Sequence, residues 1–85
     1  MQFNTLPFVE CAENGAVIST WKVEPSGDYS KDCVTGRHYF EQLVRAIETN
    51  GNILLLSRVI EGQVKAGQWG GIEIGFNQAM AELVL

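Results

Sequence analysis

Cys33 and His38 are the side chains of this 85-residue chain best suited to nucleophilic catalysis. A thiolate is a good nucleophile, and an imidazole can take up the proton that the thiol loses. The segment around them shows neither a third group to orient the imidazole nor donors for an oxyanion. It instead has the pattern of a loop that enters a helix. We therefore predict an exposed His38 in the first helical turn, no catalytic residues and no enzymatic activity.

Metal binding has little support in the same residue types. The possible ligands are Cys11, Asp32, Cys33 and His38, and no two of them form the short ligand pair that is typical of a zinc site. We predict no metal and no cofactor. The two cysteines are not in a Cys-x-x-Cys arrangement, so the sequence indicates two reduced thiols, with a disulfide between them as the alternative.

The turn Lys65–Gly71 could bind an anion, because it places glycines and a lysine ahead of a helix N-terminus, where backbone N–H groups attract negative charge. Its candidate ligand-binding residues are Arg58, Lys65, Gly70 and Gly71. The turn lacks the preceding strand and the glycine spacing of a phosphate-binding loop. The favoured interpretation is a turn between two helices, in which glycines end one helix and permit close packing of the next.

Two further residues near this turn can each be interpreted in two ways. Glu73 lies between Ile72 and Ile74 and could act as a general base, but no second carboxylate accompanies it. We interpret it as an acidic residue in the first turn of a helix, where the helix dipole favours it. Trp69 is either an exposed aromatic anchor for a partner or a lid over the helices, and the sequence leaves both open.

The dipeptide Asn14-Gly15 predicts a β-hairpin with a type I′ turn. Folding the chain about this turn pairs Glu13 with Ala16, Cys11 with Ile18, and Glu10 with Ser19. In that register one face of the hairpin is apolar and faces a core. Its residues are Leu6, Phe8, Ala12, Val17, Trp21 and Val23.

The opposite face of the hairpin is more apolar than a plain solvent face, because it carries Val9, Cys11 and Ile18. A partner protein would cover such a surface. Together with Trp69, these three residues are the predicted interface residues.

Apolar residues at helical spacing predict three helices over residues 35–50, 53–66 and 71–84. Asp32 or Thr35 would cap the first helix, and Asn52 would cap the second. Gly51 and Gly67 would end them. Gly62 lies inside the second helix and could mark close contact with another backbone. The alternative for residues 71–76 is a third strand, because apolar residues also alternate there.

The predicted fold is a single α+β domain of ββααα order, with the first and third helices on the Trp21 face. The ten acidic and six basic residues give a net charge of −4 without any Lys/Arg cluster, which argues against nucleic acid as the partner. The longest apolar run, Ile53 to Leu56, is far shorter than the roughly 20 residues of a membrane span. No secretory signal is visible. We expect a cytoplasmic protein that does not bind membranes.

From these observations we expect a small acidic protein that acts by protein–protein interaction, as a homodimer. Its size suggests an accessory or inhibitory factor of the kind that phages and other mobile elements carry. The alternative function is a small-ligand or anion-binding module.

Overall fold

The computed structural model describes residues 2–84 and has the predicted order of a β-hairpin followed by three helices. A short 3₁₀ turn, Phe3–Thr5, comes first. The elements that follow are the strands β1 (Glu10–Cys11) and β2 (Val17–Ser19) and the helices α1 (Tyr29–Asn50), α2 (Leu54–Ala66) and α3 (Gly71–Val84). None of the helices in these residues combines the length and the apolar character that crossing a membrane requires.

The hairpin forms, but its turn differs from the predicted one. The Ala12 N–H donates to the Ala16 carbonyl at 2.8 Å, so three residues, 13–15, make the loop. Of these three loop residues, only Gly15 has a positive φ, of 85°, whereas a type I′ turn needs positive φ at both central residues. The Asn14 side chain instead accepts the Ala16 N–H at 3.1 Å. The predicted type I′ turn and the pairing of Glu13 with Ala16 are therefore wrong.

The strand register is correct at one pair and shifted at the next. Glu10 pairs with Ser19 as predicted, but Cys11 pairs with Val17 and not with Ile18. Ile18 is thus an extra residue on β2 that absorbs the longer turn, as in a β-bulge. The predicted apolar face is buried at the end of the hairpin that lies away from the turn. Leu6, Phe8, Trp21 and Val23 are all buried there.

Aromatic side chains join the hairpin to α1 and α3, as the sequence predicts. The ring of Phe8 lies 5.2 Å from the rings of both Trp21 and Tyr39, and Trp21 lies 5.1 Å from Phe76. Edge-on or tilted rings at these distances attract one another, and this attraction adds to the stabilisation that comes from burying their surface. The core therefore lies between the hairpin and the two helices, and α2 closes it with Leu55 and Val59.

Helix α1 begins at Tyr29, six residues earlier than predicted. Its N-cap is Asp28, whose side chain accepts the Lys31 N–H at 3.2 Å, and not Asp32 or Thr35. Asp32 is buried and accepts hydrogen bonds from the backbone N–H and the hydroxyl of Ser26. The polar first turn carries no apolar periodicity, which is why the sequence pattern begins too late.

The predicted helix ends are confirmed. Gly51 and Gly67 take left-handed conformations with φ of 67° and 68°, and each donates its N–H to the last turn of its helix. The N-cap of α2 is Ile53 and not the predicted Asn52, but the Asn52 side chain does accept the Leu54 N–H at 3.0 Å.

Residues 71–76 are helical, so the alternative of a third strand is wrong. The buried face of α3 includes the predicted Ile72, Phe76 and Ala79, but Leu83 is 68% exposed. Glu73 and Gly75 take part in that face instead, because α3 turns its glycines toward α1.

Three glycines bring the backbones of α1 and α3 into contact. A Cβ atom on Gly36 would overlap the Ile72 carbonyl oxygen, and one on Gly75 would overlap the Cys33 carbonyl oxygen. A Cβ on Gly71 would lie 2.7 Å from the Asp32 Cβ atom and 3.0 Å from the Tyr29 carbonyl oxygen. No larger residue fits these positions without moving a helix.

Candidate functional site

Glu73 is fixed in the interior by two hydrogen bonds. It is 1% exposed; Oε2 accepts the Trp21 indole N–H at 2.8 Å, and Oε1 accepts the Gly70 backbone N–H at 2.9 Å. The second bond is half of a capping box, in which the third helical residue caps its own N-terminus. Oε2 thus joins the Trp21 segment to α3, whereas Oε1 caps the start of α3 itself.

The same region ties α3 to α2. The Asn77 amide nitrogen donates to the Gln63 side-chain oxygen at 2.9 Å and to the Glu73 carbonyl oxygen at 2.7 Å. Gln63 is fully buried. One polar network therefore connects the segment after β2 with α3 and α2. Its members are Trp21, Glu73, Asn77 and Gln63.

Gly62 sets the distance between α2 and the end of β2. A Cβ atom there would overlap Thr20 Oγ1 and would lie 3.1 Å from the Trp21 Cβ atom. The Thr20 hydroxyl donates to the Arg58 carbonyl oxygen at 2.7 Å. The prediction that Gly62 marks a close approach of another backbone is confirmed, because the Trp21 backbone nitrogen also lies 3.1 Å from this Cβ position.

A groove runs along this contact, and we call it the β2–α2 groove. Its volume is about 460 Å³. The strand side supplies Ile18, which is 64% exposed, and the helix side supplies several charged residues. The full lining comprises Val17, Ile18, Ser19, Thr20, Trp21, Arg58, Glu61, Gly62, Lys65 and Ala66.

Two cations of the groove have no acidic partner in the described part of the chain. Within residues 2–84, the ion pairs with acidic groups involve Lys22, Arg37 and His38, and neither Arg58 nor Lys65 takes part in one. The Arg58 guanidinium lies 5.6 Å from the centre of the Phe3 ring. At this distance the cation is attracted to the face of the aromatic ring. The groove therefore presents positive charge beside an exposed isoleucine.

The candidate ligand-binding residues divide into two groups. Arg58 and Lys65 line the β2–α2 groove, whereas Gly70 and Gly71 lie at the start of α3. Gly71 is buried against α1, and the Gly70 N–H is bonded to the Glu73 carboxylate. An internal carboxylate thus occupies the position that an anion would take at this helix N-terminus.

The candidate interface residues are also separated. Trp69 is 56% exposed, so much of its side chain faces solvent. It follows Ala66 of the groove by three residues and precedes Gly70 by one. Val9 and Cys11 are half-buried, and the Cys11 thiol donates to the Asn4 carbonyl oxygen at 3.5 Å. Ile18 and Trp69 are therefore the exposed members of the set.

Cys33 and His38 do not face each other. An α-helix turns about 100° per residue, so five residues place the two side chains about 140° apart around α1. His38 is exposed and lies 3.6 Å from Glu41, and both cysteines are free thiols. A hydrogen bond with Cys33 raises the pKa of Tyr29. Across residues 2–84, no three or more His, Cys, Asp or Glu side chains form a group that could hold a metal ion.

Sequence patterns do not reveal the strand side of the groove. Thr20 and Trp21 are 38 to 52 residues from their hydrogen-bond partners on α2 and α3. The one local signal is Gly62, a helix-weakening residue inside an otherwise regular helix. Compared with protein-family models, curated proteins and solved structures, the chain matches none of them.

Proposed function

We propose that this protein is a small acidic cytoplasmic protein without enzymatic activity that binds another protein through the β2–α2 groove. One observation carries the proposal: exposed Ile18 and the cations Arg58 and Lys65, which lack ion pairs in the described part of the chain, line the same groove. An apolar centre beside charged groups is the usual composition of a protein interface. Its small size and acidic charge suit an accessory or inhibitory factor, such as phages and mobile elements carry.

Trp69 extends this surface at the C-terminal end of α2. Exposed tryptophan is the residue type most often found among those that dominate binding energy. The Gly70 N–H beside it and the indole of Trp21, a residue of the groove lining, are bonded to the same carboxylate, that of Glu73. These two bonds connect the backbone next to Trp69 to a residue of the groove.

The test is capture of a partner from extracts of the native host by the tagged protein, with variants in parallel. Ile18→Ser and Trp69→Ala should each lose the protein that the wild type retains. Val34→Ser is the matched control, because Val34 is also an exposed apolar residue, 55% exposed, and does not line the groove. Equal capture by all four proteins would contradict the groove as the binding surface.

A small acidic ligand is a second candidate, supported by Arg58 and Lys65 in one groove. A ligand that binds only the native state raises the melting temperature. We expect a nucleotide or anion that uses this site to stabilise the wild type and not the Arg58→Gln, Lys65→Gln double variant. A screen that stabilises neither protein would remove this candidate.

We further propose a homodimer that forms through the start of α2. Ile53 and Leu54 are adjacent in the chain and are each 66% exposed, so they form a small apolar surface. A symmetric contact would bury this surface against its own copy.

A further inference from the structure

We infer that the β2–α2 groove recognises an extended peptide segment with two carboxylates, one bound by Arg58 and the other by Lys65. The inference rests on the proposed protein-binding function and adds the chemistry of the partner. It also gives a role to the two groove cations that have no acidic partner among the described residues.

Charge is the first property that points to an acidic ligand. Acidic residues outnumber basic ones by ten to six. Two of the lysines and arginines find acidic partners among the described residues. Lys22 binds Glu10 at 2.6 Å, and Arg37 binds Glu82 at 2.7 Å. Arg58 and Lys65 take part in no such pair within residues 2–84, and both line one groove. Complementary charge across an interface selects the partner, so an acidic segment is the ligand that fits.

The spacing of the two cations suits an extended peptide. Arg58 and Lys65 are seven residues apart on α2, which is about two helical turns and about 10 Å along one face. An extended peptide advances about 3.4 Å per residue and points alternate side chains to the same side. Acidic residues four positions apart in the peptide are about 14 Å apart, and the long arginine and lysine side chains bridge the difference.

An acidic residue separates the two cations of the groove. Glu61 lies between them in the chain and also lines the groove. The order of charges along α2 is therefore positive, negative, positive. A complementary peptide reads acidic, basic, acidic at every second position.

The remaining positions of such a peptide face away from α2 and toward β2. Ile18 is exposed on that side, and Val17 also lines the groove. Apolar residues between the charged ones would bury against this side of the groove. The inferred ligand thus alternates charged and apolar residues.

Nucleic acid fits the groove less well, although it too is an anion. Its affinity depends on neutralising many phosphates, and two cations with Glu61 between them offer few contacts. The net charge of −4 would also repel a continuous phosphate chain.

The experiment is an NMR titration of the isotopically labelled 85-residue protein with a capped peptide of sequence Glu-Val-Lys-Val-Glu. We expect the shifted amides to be those of residues 17–21 and 58–66. In the Arg58→Gln, Lys65→Gln double variant, Kd should rise about two- to thirtyfold, as the loss of two exposed ion pairs implies. The matched control is Lys31→Gln with Arg45→Gln, which removes the same charge outside the groove and should change Kd less than twofold.

Four results would overturn the inference. Equal binding of a peptide with glutamine for both glutamates would show that carboxylates are not recognised. Equal weakening in the two double variants would show that only the overall charge matters. Tighter binding of a short single-stranded oligonucleotide at the same amides would assign the groove to nucleic acid. If the peptide shifts no amide, the inference also fails, while the capture experiment decides separately whether the groove binds a protein.

Discussion

Glu73 shows how one residue can be placed correctly in the chain and still have an unforeseen role. Its position in the first turn of a helix is predictable, because carboxylates stabilise helix N-termini. Its burial is not predictable, since the indole that compensates it belongs to Trp21, 52 residues away. A buried carboxylate needs donors for both oxygens, and Trp21 and Gly70 supply them.

At this scale we predict that Glu73→Gln destabilises the fold by roughly 1–3 kcal/mol, the cost of an unsatisfied buried polar group. Glutamine keeps the size of the side chain but has one oxygen and an NH₂ group. That NH₂ group must then face either the Trp21 indole or the Gly70 N–H, both of which are donors. The measurement is urea unfolding of the variant and the wild type.

Glu41→Gln is the control for this change, because Glu41 is exposed on α1. It should alter the free energy of unfolding by less than about 0.5 kcal/mol. Equal stability of Glu73→Gln and the wild type would mean that the two hydrogen bonds contribute little.

At the scale of elements, the contact between α1 and α3 depends on the absence of side chains. Gly36 and Gly75 each face the backbone of the other helix. Sequence periodicity can locate both helices, but it cannot show which glycines are packed, because a glycine that ends a helix and one that touches a backbone look alike. The predicted close packing around Gly71 is nevertheless correct.

We predict that Gly75→Ala destabilises the protein by roughly 1–3 kcal/mol or more, since overpacking a core forces backbones apart. The gain in helix propensity of about 1 kcal/mol works in the opposite direction and is too small to compensate. Gly62→Ala should cost less, because its Cβ meets the rotatable Thr20 hydroxyl.

The measurement is thermal unfolding of both glycine variants beside Gln78→Ala, a change at an exposed position of α3. That control should be neutral or slightly stabilising. If Gly75→Ala is as stable as the control, the helices are not in backbone contact at this point.

A second link between α1 and α3 depends on pH. The Arg37 guanidinium binds both carboxylate oxygens of Glu82, at 2.7 and 2.9 Å, and this hydrogen bonding lowers the pKa of Glu82. A carboxyl whose pKa is lower in the folded state stabilises that state above its unfolded pKa, of about 4.3, and loses the effect as pH falls through the folded pKa.

We therefore predict that Arg37→Gln lowers the melting temperature at pH 7 and that the difference from the wild type shrinks below about pH 4. Because the pair is exposed, salt should also reduce the difference. Arg45→Gln, which removes a cation outside the ion pairs of the described residues, should show no such pH dependence. A difference that persists at pH 2 would assign the effect to packing of the arginine side chain.

At the scale of the whole molecule, the ββααα order, the helix ends and the buried face of the hairpin follow from the sequence. The groove does not, because β2 and α2 are far apart in the chain. The contact of α2 with the residues that follow β2 depends on Gly62 and on the bond from Thr20 to Arg58. Arg58 and Lys65 are identifiable as candidates, but only the fold places them beside Ile18.

For the oligomer, we predict a mass of twice 9.4 kDa by light scattering at micromolar concentration. Leu54→Ser should shift the equilibrium toward the monomer, because it removes exposed apolar surface from the proposed contact. Leu83→Ser changes a residue of similar exposure on α3 and should leave the mass unchanged. A wild-type mass of 9.4 kDa would contradict the homodimer.

The glycine contacts between α1 and α3 have a consequence for divergence. Positions 36, 71 and 75 accept hardly any substitution without a compensating movement of a helix, whereas positions 18, 58 and 65 at the groove carry no such constraint. The proposed binding surface can therefore diverge rapidly among descendants of this chain while three small residues keep the architecture fixed.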